Sequence, residues 1–213
     1  MDRFMKVSLV AVAAVALVAC GGSTSFNTTW TAPDAGRLSL DDGTKVIAMV
    51  VSDNTAKRRG FETALVTELN GHGLDAVAAY SVVPEDAAQD SDKARPYIQK
   101  TGASYALILQ VTGQDQQITG TPSMTTAGMW HGPRQFWGPT WGGWGWGWTG
   151  GTDIRTDTIV RVQSLLYDLG KDELVWAGQS ETMNPSKAES FMREMVRKIG
   201  NELQKEGLVG PAK

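Results

Sequence analysis

The side chains able to do chemistry in this 213-residue chain are few and widely spaced. There is one cysteine, Cys20, so no intrachain disulfide can form. The two histidines, His72 and His131, stand fifty-nine residues apart, and no second thiol is present to complete a metal set with them. The acidic pairs Asp41-Asp42, Glu85-Asp86 and Asp172-Glu173 fall where turns are expected. Solvated turn residues are the simpler reading of all three, because a catalytic carboxylate pair needs an enclosed site. Ser180 follows Gly178 with no histidine nearby in sequence. Gly-rich phosphate loops, His-Glu-x-x-His helices and nucleophile elbows are absent from the sequence. The expectation is a protein that is not an enzyme and carries no cofactor or metal. What remains unusual is the lone thiol and a concentration of indole rings: Trp130, Trp137, Trp141, Trp144, Trp146 and Trp148.

The thiol is explained by what precedes it. Arg3 and Lys6 form a short basic stretch, and residues 7–18 are apolar apart from Ser8. That run matches a signal-peptide core and falls short of the ~20 apolar residues a membrane helix needs. It ends in Leu17-Val18-Ala19-Cys20, followed by Gly21-Gly22-Ser23. This resembles the lipobox of bacterial lipoproteins. The resemblance implies a diacylglycerol on the Cys20 sulfur, cleavage before Cys20 and a further acyl chain on the new N-terminus. Each buried methylene contributes ~0.8 kcal/mol, so two or three long chains would hold the protein to a membrane almost irreversibly. The plainer alternative is a secretory signal cut at Ala19 that leaves a free thiol, or an uncleaved anchor. Gly21, not aspartate, follows the cysteine. By resemblance to enterobacterial sorting this implies the outer membrane and its periplasmic face, with the inner membrane as the alternative.

The remainder must position whatever these residues do. Hydrophobic residues make up 41% and charged residues 20%, a globular composition, and the net charge of −3 supplies no field for nucleic acid. Residues 20–42, rich in Gly, Ser, Thr and Asp, read as a flexible tether after a signal peptide at 1–19. Residues 45–52 form a near-continuous apolar run, which suits a strand covered on both faces. Asp53 and Asn54 offer caps to a helix carrying Phe61, Leu65 and Leu69, with His72 near its end. Residues 74–83 read as a second strand, and Pro96 as the opening of a short helix. Residues 104–112 read as a third strand. Residues 156–168 and 173–183 read as two more, joined by hairpin chemistry at 169–172. A last helix is expected over 186–206, with Ser186 and Glu189 as a capping box and Phe191, Met195, Ile199 and Leu203 on its inner face. The fold class is therefore α/β of the α+β kind, a mixed sheet in the order β-α-β-α-β, insertion, β-β-α, with helices packed on it. A single domain is expected over 43–208, with a short tail at 209–213.

The insertion, residues 113–152, holds the six tryptophans named above, and from Gln116 to Thr152 its only formal charge is Arg134. Connections of this length are uncommon in compact domains. Three readings stand: a weakly structured flap over the sheet, a membrane contact through rings that favour the headgroup zone, or stacking platforms for sugar or peptide. The stretch around Gly120-Thr121-Pro122-Ser123 lacks the alternation of a membrane-spanning hairpin.

Taken together, the hairpin residues Tyr167-Asp168, Gly170-Lys171, Leu174-Val175-Trp176 and Gly178, with the tract at 141–148, resemble the bacterial lipoprotein family known as domain of unknown function 4136. The same element order is similar to that of the curli secretion channel family and of lipoprotein activators of penicillin-binding proteins. The resemblance implies a palmitate-bearing, membrane-anchored envelope protein that faces the periplasm and acts as adaptor or structural partner of other envelope proteins. The second expectation is a cell-wall or glycan-binding module that meets peptidoglycan through the Trp loop. The third is a subunit of an oligomeric export or pore assembly, although the insertion lacks the alternating hairpins of a pore.

Overall fold

A computed structural model describes residues 23–88, 90–118, 156–185 and 187–210. Cys20 and the six tryptophans of the insertion lie outside the described residues, as does His131.

The long apolar run becomes β2 (Lys45–Val51), buried on both faces as its sequence requires. It pairs in parallel with β3 (Asp75–Ala78) on one side and with β4 (Tyr105–Ile118) on the other. Antiparallel partners follow: β5 (Thr156–Asp168) beside β4, β6 (Glu173–Met183) beside β5, and β1 (Ser23–Thr31) beside β6. The result is a mixed six-stranded sheet of order β1-β6-β5-β4-β2-β3 with helices packed on it, the expected α+β class.

The helices divide between the two faces. On one lie α1 (Thr55–Gly71) and α4 (Ala188–Lys205). They bury Leu65, Leu69, Phe191, Met192, Met195, Ile199 and Leu203 against Val46, Leu107, Val162, Leu166 and Trp176. On the other lie α2 (Ala79–Val82) and α3 (Ser91–Lys100), whose Ala79, Ala94 and Ile98 cover Ile47, Ala106, Ile108, Leu165 and Tyr167. The fourfold spacing on α4 thus faces the core as expected, and its methionines serve as packing. Ile199 and Leu203 are each 4% exposed. Truncating either to Ala is expected to cost ~2–5 kcal/mol, measured as a lowered urea midpoint. An unchanged midpoint would mean that α4 contributes little to the core.

Several boundaries differ from the sequence reading. The stretch expected as a tether, 20–42, contains β1, which is paired into the sheet well before residue 43. Thr and Ser dominate β1, yet Phe26 packs on the core, and the Thr24 hydroxyl pairs with that of Thr182 at 2.8 Å. The Thr24 amide donates to Glu194 Oε1 of α4 at 2.8 Å. Leu38, farther along the same stretch, is buried, and its amide donates to the Leu208 carbonyl. β3 ends at Ala78, and the rest of the expected strand turns into α2. α3 begins at Ser91, before Pro96, because Asp90 accepts the amides of Asp92 and Lys93 and so caps the earlier start. The cap position of α4 falls on Lys187, which provides no side-chain cap. Ser186 itself lies outside the described residues. β4 continues to Ile118 through a bulge between Val111 and Gly113, so the insertion at 113–152 starts at least six residues later than expected.

Candidate functional site

Two places in the described residues gather polar groups for a reason, and sequence reasoning anticipated neither. The first lies where the parallel strands end. α1 opens with Asn54 as its cap, accepting the Lys57 amide at 2.9 Å, as expected. About two turns later, Glu62 points inward and is 1% exposed. One of its carboxyl oxygens accepts the Val50 amide at 3.2 Å, near the end of β2, and the other accepts the Tyr80 amide at 2.8 Å, in the first turn of α2. A single side chain therefore fixes the ends of two strands to the helix between them. Burial pushes its carboxyl up to about 7, against the pull of the two amides and of Arg58, with Glu85 adding a smaller upward push.

Beside it stands an ion cluster in which Arg58 is largely covered while Arg59 and Glu85 are exposed. Arg58 donates to both carboxylate oxygens of Glu85, at 3.1 and 2.9 Å, and Arg59 reaches the same group at 3.4 Å. Arg59 also lies 5.6 Å from the centre of the Tyr80 ring, and the Tyr80 hydroxyl pairs with Thr63 at 2.9 Å. Glu85, expected as a solvated turn residue, is exposed yet serves as the hub of these cations. Nothing in this cluster is arranged as a nucleophile beside a base; what the arrangement does is hold the loop after α2 against α1.

Glu62 was hidden because the sequence reading centred the inner face of α1 on Phe61, Leu65 and Leu69. The buried positions are Glu62, Ala64, Leu65 and Leu69. The spacing of Glu62, Leu65 and Leu69 at i, i+3 and i+7 was the available signal.

The second place is the stem of the insertion. β4 and β5 run together to the pair Ile118–Thr156, past the last partner that β6 offers, where Met183 stands opposite Ile159. Across this arm Arg161 donates to Glu181 Oε1 at 2.9 Å and to Asp115 Oδ2 at 2.6 Å. Those two carboxylates hold the guanidinium above its ordinary value, Glu181 foremost. One cation thus staples β4, β5 and β6 at the point where the insertion leaves the sheet.

The remaining candidates resolve simply. His72 is the exposed residue closing α1, and it contributes its backbone amide to Leu69 rather than a side-chain cap. Ser180 is fully buried and hydrogen-bonds the Val162 carbonyl at 3.3 Å. Asp172 takes a positive φ of 56° in the β5–β6 turn, where Asp168 accepts the amides of Gly170 and Lys171. Among the described residues no group of three His, Cys, Asp or Glu side chains is placed to hold a metal. No helix among them is long and apolar enough to cross a membrane.

These features define a mixed-sheet α+β domain. No family model and no curated protein matches the chain. Among solved structures it is similar to a PelC dodecamer from Paraburkholderia phytofirmans, a single-residue variant, at 14% identity and TM-score 0.46, covering 86% of this chain and 98% of that one. A second PelC dodecamer from the same organism gives 13% identity and TM-score 0.44, covering 83% and 96%. The lipoprotein GNA1162 from Neisseria meningitidis gives 13% identity and TM-score 0.40, covering 76% and 99%.

Proposed function

We propose that this chain is a non-enzymatic bacterial envelope lipoprotein, held by acyl chains on Cys20 to the periplasmic face of the outer membrane, where it serves as adaptor or structural partner of other envelope proteins. The observation that carries the reading is the position of its sole cysteine, at the end of a basic-then-apolar leader and three residues before β1. The hairpin residues 167–178 and the tryptophan tract 141–148 support membership of the lipoprotein family they resemble.

The decisive experiment is Cys20→Ser in cells fed labelled palmitate. The parent should carry the label and stay with membranes through a carbonate wash. The variant should carry none and appear as precursor or as released periplasmic protein. Retention of the variant on washed membranes would overturn the anchor. Density-gradient separation that places the parent wholly in the inner membrane would overturn the outer-membrane assignment. Crosslinking in intact cells followed by mass spectrometry tests the adaptor role, which fails if the chain yields no crosslink to another envelope protein.

A further inference from the structure

Four strands share a register row at one end of the sheet: Ser23 of β1, Met183 of β6, Ile159 of β5 and Asp115 of β4. From that row β4 and β5 continue three residues farther, at the end of the sheet where the chain enters β1. Cys20 lies three residues before Ser23, Thr156 three before Ile159, and Ile118 three after Asp115. Across a trans peptide successive Cα atoms are 3.80 Å apart, so Cys20 is at most ~11 Å from Ser23. Over the same three residues β4 and β5 advance ~10 Å beyond the row, at ~3.3 Å per residue. They do so ~10–15 Å to the side, which is the width of two or three strand spacings.

A lipidated cysteine places its sulfur at the glycerol level of the leaflet, and the headgroup layer outside the hydrocarbon is only roughly 5–7 Å thick. The link from Cys20 to the sheet is therefore too short to let the domain stand away from the bilayer. Resting on the lipid anchor proposed above, we infer that the sheet end carrying the Ser23–Met183–Ile159–Asp115 row faces the membrane, with β4 and β5 reaching the headgroup layer beside the acylated N-terminus. The partner is a lipid surface. Met183, one of the exposed large apolar residues at 44% exposure, stands in that row. The opposite end of the sheet, with the β5–β6 turn at Lys171, points toward the periplasm more than ~30 Å away, since β6 alone spans 11 residues.

The geometry is tested on the full, lipidated chain in vesicles of phosphatidylethanolamine and phosphatidylglycerol. Ser23→Cys, Met183→Cys and Lys171→Cys each take one environment-sensitive fluorophore, the Cys20 sulfur being already a thioether. A nitroxide lipid labelled at its headgroup is the quencher. Emission should be largely lost at 23 and 183 and unchanged at 171. Equal quenching at the three sites, or stronger quenching at 171, would overturn the orientation while leaving the anchor intact. Intact-mass measurement on the same preparations separates the two ideas: a chain lacking the acyl mass removes the anchor and the orientation together. The use of two probes at the row guards against one substitution disturbing β1 or β6.

Discussion

Replacing Trp176 by Ala is expected to remove ~3–5 kcal/mol of folding stability, a large share of the ~5–15 kcal/mol that holds an ordinary domain together. The ring is fully buried between the sheet and α4, and it meets Phe26 of β1 edge-on, with centroids 5.7 Å apart and planes at 64°. Losing it empties a site that neither the rigid sheet nor Phe26 can refill. Trp176→Phe should cost much less. It keeps most of the apolar contact and removes an indole N–H that is buried with no acceptor among the described residues, a group whose desolvation costs ~1–3 kcal/mol. Gly178 sets the space for this pair. A Cβ added there would stand 2.5 Å from both Phe26 Cε1 and Trp176 Cη2, so Gly178→Ala should cost ~1–3 kcal/mol by overpacking. Urea midpoints of the three variants check the order. Equal losses for Trp176→Ala and Trp176→Phe would show that the cavity argument is wrong.

The second large effect is on pH dependence. The Glu62 carboxyl is raised from 4.5 to about 7 by burial, so the folded state holds a proton that the unfolded chain has released between those values. Stability from this group is fully present below pH 4.5 and is lost as pH rises through 7. The difference of about 2.5 pH units corresponds to ~3 kcal/mol. Glu62→Gln removes the titration. Its single carbonyl can satisfy one of the Val50 and Tyr80 amides, so some stability is forfeited at every pH. The loss between pH 5 and pH 8 should nevertheless shrink in the variant. Urea midpoints across that window decide the matter: parallel profiles for the parent and Glu62→Gln would mean that Glu62 titrates near its ordinary value in the fold.

Much of the architecture could be read from side-chain spacing, and the failures have identifiable physical causes. β5 and β6 have the bounds expected for them, because alternating and β-branched residues flank an Asp-Leu-Gly-Lys-Asp turn whose chemistry is local. α4 was legible because one apolar stripe recurs through its whole length. β1 was not. Its Ser and Thr residues carry the composition of a linker, and they form a strand only because β6 offers an edge far away in the chain. Glu62 was illegible for a related reason. A glutamate on a helix next to Phe61 reads as surface, and only the folded chain supplies the Val50 and Tyr80 amides that make its burial affordable. The residues chosen for function from sequence, Cys20 and the six insertion tryptophans, lie outside the described structure, whereas their stems do not.

On the export and acylation proposed above, the pairing of β1 with β6 has a consequence for how the chain matures. Thr24 and Thr182, bonded in the fold, are separated by 158 residues. During vectorial emergence from the N-terminus, β1 appears first, and β6, its one partner among the described strands, appears near the end. Until β6 arrives, the residues beside Cys20 have no sheet to join, and contacts of such long range form late. On that reading, processing at Cys20 would come before β1 joins the sheet. Closure of the sheet edge would then bring the modified end against the domain, so that seating of β1 serves as the last step of assembly.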